Sequence, residues 1–325
     1  MIVYLLIILC VIVFIHVGSL ESKNTTAIRK VYEDIEFHRG MLDDTHRVDT
    51  YRTALTQNPS LMKGAKVLDV GCGTGVLSAF AMEGGASNVV GVDLVSVPKC
   101  KGVDDVQFVI GKPIQKAELP IKKFDVVVSE WMGPALYQEN IIDMFLYARD
   151  KYLKPGGALL PDMGSIYVCG FKSDTNGFNG YKTLEYVDPQ NIVTDDYVIH
   201  NVDFTTVKLR DTFKITSDIK FDSNEMVDGL VVWFDTTFSQ RFCKEQPCVL
   251  DTKRKTCWFH IVLRFNKPRK ASDIREIKFV RQEVMDYKFW VDGEEFKNGG
   301  WNIDWYGESK KLKLTPPQSL DESSP

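Results

Sequence analysis

Strong charge of either sign is missing from this chain. Forty Lys and Arg stand against 44 Asp and Glu, a formal net charge of −4. That balance argues against direct nucleic-acid binding and is compatible with a basic protein substrate. Metal-ligand spacing is missing too. The seven cysteines are scattered and odd in number, and Cys243 and Cys248 form the one close pair, with no second pair to complete a metal site. They read as reduced thiols in a cytosolic setting. No internal repeat is visible. What remains is an ordinary globular balance, 44% hydrophobic and 26% charged over 325 residues, enough for two domains and a substantial core.

Charge is also absent from the first seventeen residues, MIVYLLIILCVIVFIHV. As a helix this run would rise roughly 25 Å, slightly less than a bilayer core of about 30 Å. It lacks the basic start of a signal peptide, although cleavage near VGSL would suit one. Lys23, Arg29 and Lys30 follow it, so as an anchor it leaves the rest of the chain in the cytoplasm. Anchor, signal peptide and incidental apolar terminus all stand as readings of residues 1–20; without an anchor, cytoplasm or nucleus follows. The sequon Asn24-Thr25-Thr26 matters only in a lumenal setting.

Residues 26–58 read as helix, with apolar positions three to four apart. Then AKVLDV is a buried strand, GCGTG a turn, and VLSAFAMEGGA a helix. NVVGVDL, VQFVIG and FDVVVSE are further strands, and NIIDMFLYARDKYL is a helix stopped by KPGG. Alternating strands and helices imply a doubly wound Rossmann-like sheet over residues 21–161. Beyond Pro161 long helical patterns are lacking. SIYVCGF, NVDFTTVKL, GLVVWFDTTF, CWFHIVLRF, IKFVRQEV and KFWVDGEEF read as strands of an antiparallel β-barrel or sandwich over 162–314. Residues 315–325 read as a disordered tail.

Gly71, Gly73 and Gly75 lie between a strand and a helix, where a ligand can rest against backbone and helix N–H groups. Asp93 ends the next strand, 20 residues after Gly73, placed to accept ribose hydroxyls. A dinucleotide site would want a sixth-position glycine, but Val76 stands there. The G-x-G-x-G form favours S-adenosylmethionine. Glu130 follows a strand end and Glu139 comes nine residues later, room for a loop that returns beside its start. Two carboxylates can each hold one edge of a guanidinium; on spacing alone, a capping acid plus a surface acid explains them equally well.

VLDVGCGTG, SEWMG followed by Glu139, and LYARDKYLKPGG together resemble the protein arginine N-methyltransferase family. The resemblance runs from about Tyr32 to Asp162, and more loosely into the β half. It implies a methyl-donor domain joined to a β-barrel, and methyl transfer from S-adenosylmethionine to arginine in Arg/Gly-rich or histone-like proteins. It implies that Glu130 and Glu139 are catalytic and clamp the guanidinium. Gly71 and Gly73 would line the donor, Asp93 would hold its ribose, and Asp69, counted with these donor-binding residues, would support the loop. His38 and Met41 would line the donor and arginine pockets, Met41 leaning toward the asymmetric, type I product. Arg47 would pair with the donor carboxylate.

The chain departs from the family pattern in four places. Cys257 stands where the family has a histidine paired with an aspartate, matched here by Asp44; His46 and His260 are nearby substitutes. Ile28 and Arg29 replace an aromatic pair. Gln115 lies roughly where an acid meets the adenine amine. The stretch CGFKSDTNGFNGYKTLEY is shorter than the helical arm that grips a second subunit, which leaves a homodimer open. These departures keep a second expectation alive, a family member that binds or regulates a partner without turnover.

Overall fold

The computed structural model describes residues 32–173, 180–281 and 287–298. The readings of the apolar N-terminal run, of Ile28 and Arg29, and of the tail lie outside the described residues, as does the middle of the short arm. Among the described residues, no helix is long and apolar enough to cross a membrane.

The helix read over residues 26–58 is, from Ile35 onward, two helices, α1 (Ile35–Leu42) and α2 (Thr45–Thr56), and a single turn at Pro59–Met62. The break falls before Asp44 because that residue caps α2. Its side chain accepts from the Arg47 N–H at 3.1 Å, satisfying a donor that a helix start leaves free. Asp34 caps α1 in the same way through the Glu36 N–H, 3.0 Å away.

Strands β1 (Lys66–Val70), β2 (Asn88–Asp93), β3 (Gln107–Ile110), β4 (Phe124–Val128) and β5 (Leu153–Leu160) form a parallel sheet in the order β3-β2-β1-β4-β5. Their Val- and Leu-rich runs are buried, as strands covered on both faces require. Strand order reverses between β1 and β4, so a crevice opens at their C-terminal ends. Helix α3 (Val76–Glu83) follows the glycine turn, and α4 (Ile142–Tyr152) precedes β5. The KPGG stretch, read as a helix stop, lies inside β5; a register slip against β4 absorbs its glycines. Gly84, at the end of α3, lets α2 approach closely: a Cβ there would lie 2.1 Å from the Leu55 carbonyl oxygen. The helix that carries Arg47 is thereby set against the helix that follows the glycine loop.

The remaining strands are β6 (Met163–Phe171), β7 (Tyr181–Glu185), β8 (Tyr197–Asp203), β9 (Lys214–Asp218), β10 (Met226–Phe238), β11 (Cys248–Asp251), β12 (His260–Lys270), β13 (Glu276–Arg281), β14 (Tyr287–Val291) and β15 (Glu294–Asn298). They curl into a nearly closed barrel in the order β8-β6-β10-β12-β7-β15-β14-β13-β9, with β11 extending the edge beside β10. End strands β8 and β9 lie against each other. Pairing is antiparallel except between β15 and β7. The short, half-polar strands β7, β9 and β11 carry too little alternation to be read from sequence. Two strand readings were misplaced: β8 starts before NVDFTTVKL, and Cys257–Phe259 turn before β12 begins.

The two sheets meet through an aromatic cluster. Trp131 stacks on Tyr137 and Phe145, with ring centroids 6.1 and 5.8 Å apart, and meets the edge of Phe204 from the barrel at 5.0 Å. The loop that carries Glu130 and Glu139 is thus packed between the two halves.

Candidate active site

Strand β1 runs into Gly71, Gly73 and Gly75, whose φ values are +74°, +47° and +81°. L side chains avoid that region, so the turn is built for glycine. A Cβ on Gly73 would press on the His38 ring at 3.2 Å. Asp93, at the end of β2, braces the turn by accepting from the Gly73 N–H at 2.7 Å and the Val95 N–H at 2.9 Å. Each oxygen keeps a lone pair. A cavity of about 350 Å³ opens over this turn, within the roughly 300–1,000 Å³ of small-molecule sites.

His38, Met41, Arg47, Gly71, Gly73, Asp93, Glu130 and Glu139 all line that one cavity. Asp69 does not. It is buried behind the turn, accepts from the Ser78 hydroxyl at 2.7 Å, and is pushed by burial up to about 7. Its place corrects the expectation of a donor ligand; it props the first turn of α3. Gln115 is exposed, and Lys112, Pro113 and Ile114 line the cavity instead.

The acidic loop is pinned at its start. The Ser129 hydroxyl donates to the Val70 carbonyl at 2.6 Å, and the Tyr51 hydroxyl to the Ser129 carbonyl at 2.9 Å. The chain turns back through Ala135 and Leu136, at φ +47° and +71°. Glu139 returns so close to Gly133 that a Cβ there would sit 2.9 Å from its Cγ. The barrel clamps the outer side, where Trp258 Nε1 donates to the Met132 carbonyl at 2.8 Å.

Arg47 Nη1 donates to Glu130 Oε2, and the Tyr32 hydroxyl donates to Glu139 Oε2. The Arg47 and Glu130 side chains are only 8% and 17% exposed. Arg47 Nε and Glu130 Oε1 are buried with no hydrogen-bond partner among the described residues. Burial pushes Glu139 up to about 7, with Tyr32 pulling it back and Glu130 adding to the rise. Burial also pushes Glu130 upward, opposed by Arg47. The Tyr32 hydroxyl is raised by its own burial and by Glu139, which keeps it a donor. Unpaired buried polar atoms are costly. One donor and one acceptor of this kind belong to residues that line the cavity, a set suited to a zwitterionic ligand and a cation.

Asp44 is satisfied without a histidine. Its Oδ2 accepts from the Cys257 backbone N–H at 2.8 Å, while Oδ1 caps α2. Neither nearby histidine fills the role. His46 Nε2 accepts from the Asp251 N–H at 3.3 Å. His260 Nδ1 accepts from the Val187 N–H at 3.2 Å, and Nε2 faces the Thr252 and Lys253 carbonyls at 3.1 Å each. Burial pushes the Cys257 thiol well above its ordinary value, so it stays protonated. Sequence reasoning missed Tyr51, Ser129 and Asn140; their partners or neighbours in the site come from other elements, and no local pattern marks them.

A parallel sheet with a glycine turn at its switch point, joined to a barrel that closes over an acidic loop, defines the class. Residues 67–157 match the family model described as a methyltransferase domain, and residues 172–280 the one described as an arginine methyltransferase oligomerization subdomain. Protein arginine N-methyltransferase 1 of Dictyostelium discoideum is 33% identical over 279 residues, covering 75% of this chain and 81% of that protein. The chain belongs to the protein arginine N-methyltransferase family. Probable protein arginine N-methyltransferase 3 of Oryza sativa subsp. indica is 35% identical over 296 residues, 73% of this chain. The chain spans about half the length of this and similar plant relatives, 48% of the rice protein and 50% of one from Arabidopsis thaliana. Among solved structures, the Trypanosoma brucei PRMT1 enzyme–prozyme heterotetrameric complex with AdoHcy superposes with a TM-score of 0.68 at 28% identity, covering 81% of this chain and 95% of that one. Protein arginine methyltransferase 10 of Arabidopsis thaliana shares the fold, with a TM-score of 0.70 at 21% identity over 84% of this chain and 96% of that one.

Proposed function

We propose that this chain transfers a methyl group from S-adenosylmethionine to a guanidinium nitrogen of arginine in a protein substrate. The observation that carries the reading is the pair of buried carboxylates, Glu130 and Glu139, on the same cavity as the glycine turn. A neutral substrate would leave two buried acids without a purpose. The likeness to the Trypanosoma brucei complex with AdoHcy supports the choice of donor.

The donor supplies an electrophilic methyl on a sulfonium. Gly71 and Gly73 give it room against the backbone, Asp93 takes its ribose hydroxyls, and His38 and Met41 line its cavity. Arg47 takes its carboxylate through the Nε that has no partner among the described residues. Glu130 and Glu139 accept from the guanidinium and hold one nitrogen toward the methyl. They also draw positive charge onto the nitrogens they hold, which leaves the attacking one more nucleophilic; the sulfonium would leave as the thioether S-adenosylhomocysteine, and the proton lost by the methylated nitrogen would pass to a carboxylate of the clamp. Positioning is most of what such a displacement requires.

Arg/Gly-rich or histone-like proteins are the proposed substrates. The apolar run before Lys23 is the proposed anchor, with the catalytic part on the cytoplasmic side. The match to an oligomerization subdomain supports assembly with another chain of the family, despite the short arm. A second reading, partner binding without turnover, is favoured by Cys257 at the histidine position.

The test is labelled methyl transfer to an Arg/Gly-rich peptide and to core histones, with donor binding measured by calorimetry. Transfer supports the enzyme reading. Donor binding without transfer supports the second reading, and no donor binding sinks the assignment of the glycine turn.

A further inference from the structure

Asn140 lies beside Glu139 and faces the same cavity. Consecutive side chains on extended backbone point to opposite sides. Here the backbone at Asn140 is left-handed, φ +59°, a conformation that asparagine tolerates better than most residues. Two backbone bonds frame it, from the Asn140 N–H to the Tyr137 carbonyl at 3.1 Å and from the Asp143 N–H to the Asn140 carbonyl at 3.3 Å. The result is a carboxamide oxygen, Oδ1, that is buried and has no hydrogen-bond partner among the described residues.

A buried acceptor left unpaired costs free energy unless a ligand donates to it. The proposed substrate group is such a donor. Glu139 already receives the Tyr32 hydroxyl, and Glu130 already receives Arg47. A guanidinium brings five N–H donors in a planar fork, and an acceptor next to Glu139 can take one of them. A neutral oxygen accepts one of them without adding a third negative charge to a site where burial already opposes ionisation.

We infer that Asn140 is a third substrate contact, its Oδ1 accepting an N–H of the arginine guanidinium next to Glu139. The inference rests on the proposed function of this cavity. It assigns Asn140 to the arginine and not to the donor, because its side chain shares the acidic wall with Glu139.

Asn140→Gly is the informative variant, since glycine keeps the left-handed backbone at no steric cost. Binding of an arginine peptide and of S-adenosylhomocysteine is measured by calorimetry, alongside KM and kcat. The expected result is peptide affinity weakened roughly ten-fold or more, S-adenosylhomocysteine affinity unchanged, and recovery in Asn140→Asp, whose side chain returns an acceptor oxygen whether or not it is ionised. Unchanged peptide affinity, or a loss confined to S-adenosylhomocysteine, overturns the inference alone. A wild type that binds S-adenosylhomocysteine but no arginine peptide overturns the proposed function and this inference together.

Discussion

Arg47 and Glu130, 83 residues apart, form a buried ion pair at the mouth of the cavity. The same arginine is the one expected to hold the donor carboxylate, and the same glutamate the one expected to hold the substrate. Each keeps one buried atom without a partner among the described residues, Nε on Arg47 and Oε1 on Glu130. The pair therefore joins the proposed donor half and the proposed arginine half of the site.

Glu130→Gln should abolish methyl transfer and also weaken the protein without donor. Removing one partner of a buried ion pair costs about 3–5 kcal/mol, and the retained amide oxygen keeps the loss near the lower end. S-adenosylmethionine offers Arg47 another carboxylate, so it should raise the melting temperature of the variant more than that of the wild type. Half the wild-type turnover in the variant would remove Glu130 from the clamp.

Glu139 sets a pH dependence. Burial raises it from an ordinary 4.5 to about 7, so the folded protein favours its protonated form. That contribution to stability is full below about pH 4.5 and is lost as pH rises through about 7. Glu139→Gln should therefore be more stable than the wild type above pH 7, by about 3 kcal/mol, with little difference near pH 4.5. Binding of an arginine peptide runs the opposite way and should strengthen through pH 7, because the guanidinium needs the carboxylate. Denaturant melts and peptide titrations at pH 5, 7 and 8.5 check both arms.

Asp93→Ala should weaken S-adenosylmethionine by about 1.5–3 kcal/mol, the range for hydrogen bonds to a charged group. The variant also loses the brace on the Gly73 N–H, so Asp93→Asn, which keeps an acceptor, should fall between it and the wild type. Unchanged affinity in calorimetry would take the ribose assignment away from Asp93.

Asp44→Ala removes both the cap on α2 and the acceptor for the Cys257 N–H. A lost cap costs about 0.5–2 kcal/mol, and the second bond adds to it. Both the melting temperature and donor affinity should fall, since α2 carries Arg47. Cys257→His should speed single turnover, because His46 and His260 are already engaged with backbone groups. No change in rate would mean that the Cys257 N–H serves Asp44 well enough.

The sequence by itself determined the features that depend on near neighbours. Val-rich runs made the central strands of the parallel sheet, glycines made the turn after β1, and a loop nine residues long returned Glu139 toward Glu130. Each follows from side-chain periodicity, backbone freedom or chain reach over a few residues. Tertiary structure decided which groups share a charge or a proton. Tyr32 meets Glu139 across 107 positions, and Asp44 meets Cys257 across 213. It also placed Asp69 behind the cavity and Asn140 on its lining. Burial and partner choice depend on which elements the folded chain packs together, and no local period or spacing encodes them.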